Sequence, residues 1–81
     1  MFDRANKAIG FVKEFRSANS LANPHLVEII EEKIMSAVMF RSKIRIFVDP
    51  EGPAFYSQEE AMLKATFCQT HEFRDYIEEV V

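Results

Sequence analysis

The segment from Asn23 to Phe40 leaves this chain few ways to fold. Asn23 is placed to cap a helix, and Pro24 stands at the first helical position, where its missing N–H costs nothing. Leu26, Val27, Ile30, Ile34, Ala37 and Val38 then recur at helical spacing and form one apolar stripe. From Ile34 onward the pattern changes, because Met35 and Met39 lie opposite that stripe and only Ser36 interrupts the apolar run to Phe40. A helix that is apolar all round is usually buried all round. In 81 residues the cover has to come from the chain's own C-terminal half or from another subunit.

The flanking segments are patterned as well. A first helix is expected from about Asp3, as N-cap, to about Ser17, with Ala5, Ala8, Ile9, Val12 and Phe15 on one stripe and Gly10 on the opposite side. Ser17 to Ser20 reads as the loop that stops it. Beyond the second helix, Lys43 to Asp49 alternates as a strand, with Ile44, Ile46 and Val48 on one side and Lys43, Arg45 and Phe47 on the other. Asp49-Pro50-Glu51-Gly52-Pro53 is a turn sequence, after which Ala54-Phe55-Tyr56 is expected to return as a short partner strand. Two strands alone are marginal in water, so this hairpin must lean on the helices or pair with something else.

Ser57-Gln58-Glu59-Glu60 matches the capping box and starts a helix that runs to about Phe67. Thr70 caps a last helix, in which Phe73, Tyr76, Ile77 and Val80 form one face and Glu72, Asp75, Glu78 and Glu79 the other, with Arg74 and Glu78 four apart as an ion pair. The expectation is a single small globular domain over residues 1–81. Its class is α+β, predominantly helical, with about four helices and one short β-hairpin at 43–56.

Composition narrows the setting. An apolar fraction of 48% places the chain among folding proteins rather than disordered ones. Cys68 is the only cysteine and has no internal disulfide partner, which fits a reducing compartment. No run of about 18 apolar residues is present to span a membrane. Met1-Phe2-Asp3-Arg4 brings an acid where a signal peptide needs an apolar stretch, so a complete, small cytoplasmic protein is expected.

The chemistry-bearing residues are thin. Gly10 and Gly52 are the only glycines, and neither belongs to a phosphate-cradling loop. Cys68, His71 and Glu72, with His25 as a distant fourth, lack the paired Cys or His motifs of a structural zinc site; a small buried cysteine beside a helix-start histidine accounts for them. A Cys68–His71 nucleophile pair has no orienting third group and no oxyanion hole. The expectation is therefore a protein that is not an enzyme and carries no cofactor or metal.

Two contact surfaces remain. Arg41, Lys43 and Arg45 are spaced by two and fall on one side of an extended chain, where they can hold phosphates; Phe47, with Phe55 or Tyr56, adds the aromatic surface used for nucleotides and single strands. Against this stand a net charge of −3 and the common use of cations to protect a strand edge. The other surface is apolar: Met35, Met39, Phe40, Phe47, Phe55 and Tyr56 form an interface set, and Phe11 also falls outside its helix stripe. Charge is uneven, with eight Lys and Arg against five acids in residues 1–45 and two against eight in residues 46–81, a layout that lets copies pair head to tail. The expected function is a small non-enzymatic regulator, adaptor or inhibitor that binds a larger protein, acting as a homo-oligomer, a dimer being the simplest. The alternative is a module that binds a phosphorylated ligand or nucleic acid through the basic row.

Overall fold

The computed structural model describes residues 2–52, 54–67 and 71–81, and the chain falls into two units, Met1–Ser42 and Lys43–Val81. The first unit is a helical pair, α1 (Phe2–Ala18) and α2 (Pro24–Phe40). Asn23 caps α2 as its sequence requires, its side chain accepting from the His25 N–H at 2.9 Å. Asn19 closes α1, donating from both its main-chain N–H and its side-chain amide to the Phe15 carbonyl at 3.0 and 2.9 Å.

Ala8, Phe11 and Phe15 of α1 are buried, as are Val27, Ile30, Ile34, Ala37 and Val38 of α2. The α2 set matches the expected stripe apart from Leu26, which is half-buried. On α1 the stripe is rotated: Phe11 takes the buried position and Ile9 is 44% exposed. Phe11 buries the larger apolar surface, and the helix turns to favour it. Gly10 lies on the exposed side, where an added Cβ would meet nothing within 4 Å.

Polar links join the helices. The Arg4 guanidinium donates to the Met39 carbonyl at 3.1 Å. Arg16 grips Glu31 with two nearly parallel bonds, Nε to Oε1 at 2.9 Å and Nη2 to Oε2 at 2.7 Å. The hydrogen bond from Arg16 holds the Glu31 carboxyl below its ordinary value, with burial opposing the shift, and the same contact raises Arg16. At the C-terminus of α2, Arg41 adopts the left-handed conformation at φ 53° and Ser42 donates its N–H to the Ala37 carbonyl at 3.1 Å, the closure normally built on glycine.

The second unit is a strand–helix–strand crossover: β1 (Ile44–Phe47), α3 (Gln58–Phe67), a single helical turn α4 (His71–Arg74), and β2 (Ile77–Val80). The short two-stranded sheet is present, but its strands are parallel and β1 pairs with β2 rather than with Ala54-Phe55-Tyr56. The turn after β1 forms, held by the Asp49 carboxylate accepting from the Glu51 N–H at 3.0 Å, yet the chain leads from it into the N-cap of α3 instead of returning as a strand. Ser57 is that cap, its hydroxyl accepting from the Glu60 N–H at 3.1 Å; the Glu60 Oε2 atom is buried without a partner, so this oxygen does not close the box in return. The last expected helix stops at Arg74. Ile77 to Val80 is a strand because its main chain, carrying β-branched ends, pairs with β1.

Ile44 and Ile46 are buried on the inner face of this sheet, and Leu63, Phe67 and Phe73 of the same unit are buried as well. Phe67 and Phe73 pack with ring centroids 4.4 Å apart and planes tilted by 39°, and Tyr76 continues the row at 5.8 Å from Phe73. Glu79, in register with Ile46, lies on the same face and pairs with Lys64 of α3. Among the described residues no helix is long and apolar enough to cross a membrane.

Candidate functional site

The parallel ladder fixes which way each main-chain group of β1 points. Ile44 donates its N–H to the Tyr76 carbonyl at 2.7 Å and Val48 donates to the Val80 carbonyl at 2.8 Å. In a parallel pair alternate residues bond to a given neighbour, so Ile44, Ile46 and Val48 turn their main chain toward β2. Arg45 and Phe47 turn theirs to the opposite edge. Among the described residues no strand lies on that edge. The side chains of Arg45 and Phe47 stand on the outer face and are exposed, Phe47 by 46%.

The expected contact residues distribute as follows. Met35 and Met39 are half-buried on α2, Phe40 ends that helix 78% exposed, Phe55 is half-buried and Tyr56 is 66% exposed. Met35, Met39 and Phe40 belong to the first unit, and Phe47, Phe55 and Tyr56 to the second. Met35 borders a shallow depression with Val12, Glu28, Glu31, Glu32 and Ser36, which is open and ringed by carboxylates.

The basic row is interrupted. Arg41 is the left-handed residue that closes α2, so the chain is not extended there. Lys43 and Arg45 do fall on one side of β1, but Arg45 stands opposite Glu78 and its Nε lies 3.5 Å from that carboxylate. Two cations on one side, one of them already faced by an acid, make a weaker phosphate site than three in a line.

Cys68, the expected cap Thr70 and Pro53 of the turn lie outside the described residues. Among the described residues no group of three His, Cys, Asp or Glu is arranged to hold a metal ion.

Reading the sequence for side chains missed the main-chain edge of β1. The signal was there in part: the alternation of Ile44, Ile46 and Val48 marks the strand, but the side on which its partner lies is set by a segment some thirty residues away, in the register Ile44 to Ile77. No protein-family model, curated protein or solved structure matches the chain.

Proposed function

We propose that this protein is a small non-enzymatic regulator or adaptor, of the inhibitor kind, that acts by binding other protein chains, copies of itself included. The observation that carries this reading is the unfinished sheet: two parallel strands, with no third strand among the described residues to pair the outward N–H and C=O groups of Arg45 and Phe47, and a half-exposed phenylalanine on the outer face of β1. Parallel strands normally sit inside larger sheets, and two strands are marginal alone. An extended segment added to β1 supplies the missing hydrogen bonds, and strand addition is a common mode of protein recognition. Phe47 and Tyr56 provide aromatic surface of the kind enriched at interfaces.

Affinity capture with the tagged chain from its native host tests this reading. A specific protein retained by the wild type and lost from a folded Phe47→Ser, Tyr56→Ser double variant is the expected result. A chain that retains nothing beyond a control bait and also remains a single copy in solution would overturn it. Phosphate or nucleic-acid binding on Arg41, Lys43 and Arg45 finds less support, because Arg41 leaves the row and Arg45 faces Glu78.

A further inference from the structure

We propose that the free edge of β1 pairs with the same edge of a second copy, antiparallel and centred on Ile46, to make a closed two-fold dimer with the strand order β2-β1-β1-β2. This rests on the reading of the protein as one that binds protein chains, and it names the partner and the register.

The inference starts from the direction of the main chain. Arg45 and Phe47 are the residues whose N–H and C=O groups point outward, and they are two apart. In an antiparallel ladder, residues that exchange both bonds alternate with residues that exchange none. A two-fold axis at Ile46 sets Arg45 opposite Phe47 of the partner copy and Phe47 opposite its Arg45. All the outward groups of both residues are then satisfied, with four main-chain hydrogen bonds across the axis.

The outer-face side chains agree with that register. On the inner face Ile46 lies on the axis, already buried within its own copy, and Ile44 comes level with Val48 of the other copy, so apolar residues continue along that face. On the outer face the Arg45 guanidinium meets the ring of Phe47, a cross-strand cation–π pair. At each end Lys43 meets Asp49 of the other copy, and opposite charges face each other twice. A shift by one residue would put apolar side chains on the wrong face.

The other edge of the sheet rejects the same operation. On β2 the outward main chain belongs to Ile77 and Glu79, so a two-fold axis there would place Glu78 directly against its own mate. Like charges directly opposite are destabilising, and acids along an edge discourage pairing. The sheet therefore grows at β1 and stops at β2. Two-fold pairing gives a closed dimer rather than a filament.

Charge reversal tests the register. Lys43→Asp places four acids at the two ends of the ladder, Asp49→Lys places four cations there, and each variant alone is expected to weaken self-association by about tenfold or more. An equimolar mixture of the two restores opposite charges at both ends, so sedimentation and native mass measurement should show a dimer of one copy of each. Neither a misfolded variant nor a merely weakened turn can give that rescue. Phe47→Pro is a second probe: it removes an outward N–H, leaves the bonds to β2 in place, and is expected to yield a folded single copy. A folded wild type that is a single copy at every concentration, or a dimer that persists in both reversals and in Phe47→Pro, would overturn the proposal. The second of these would leave the reading as a protein-binding protein standing while ruling out this edge.

Discussion

Arg45 and Glu78 occupy the same level of the parallel sheet, one on each strand, and their side chains meet at 3.5 Å on its outer face. The pair ties β1 to the acidic β2, and among the described residues no strand pairs with the far edge of β1. Both side chains are well exposed, so the pair sets alignment more than it stabilises. Glu78→Gln is expected to cost no more than about 0.5 kcal/mol, with the difference fading in high salt. Thermal unfolding at low and high ionic strength checks this.

Gly10 lies on the exposed side of α1 with open space where a Cβ would be. Gly10→Ala is expected to stabilise the chain by about 1 kcal/mol, because alanine loses less conformational freedom in a helix and meets no obstacle. Denaturant unfolding measures the gain.

Arg41 holds the left-handed conformation that ends α2 without being glycine. Arg41→Gly removes the crowding of a Cβ against the main chain and is expected to add about 1 kcal/mol. The same substitution should leave self-association unchanged, since Arg41 lies outside the proposed ladder. A melting curve and a sedimentation run on one sample examine both expectations.

Glu31, gripped by Arg16, has its carboxyl held below its ordinary value of 4.5. A group whose value is lowered by folding contributes stability that is complete above its unfolded value and is lost as pH falls through the folded one. Glu31→Gln should therefore be less stable than the wild type near neutrality, and the gap should close on acidification from about pH 7 to about pH 3. The exposure of Arg16 to solvent keeps the contribution modest. Melting temperatures of the two proteins across that range follow it directly.

Much of this fold is legible in local sequence. Asn23-Pro24 starts α2 and Ser57 starts α3, because a cap is decided within a few residues. Periodicity alone did not separate Ile9 from Phe11, since a rotation of α1 by a fraction of a turn exchanges them and only the size of the ring decides. Ile77 and Val80 are three apart, which suits one face of a helix; as strand residues they stand on opposite faces of the sheet. Their strand exists because β1 is there to receive it, and a parallel partner has no turn between the strands to announce it. The contact surface was half visible for the same reason. Phe40, Phe47 and Tyr56 stand out as apolar residues beyond the helix stripes and are exposed, whereas the open edge is made of main-chain groups whose direction depends on the partner strand.

Residue-resolved amide exchange, followed as the protein is diluted, tests the central claim most directly. In a concentrated sample the N–H groups of Arg45 and Phe47 are expected to be protected as strongly as those of Ile44 and Val48, which bond to β2. On dilution Arg45 and Phe47 should lose that protection while Ile44 and Val48 keep theirs. Fast exchange at Arg45 and Phe47 at every concentration, beside a protected Ile44 and Val48, would contradict the account.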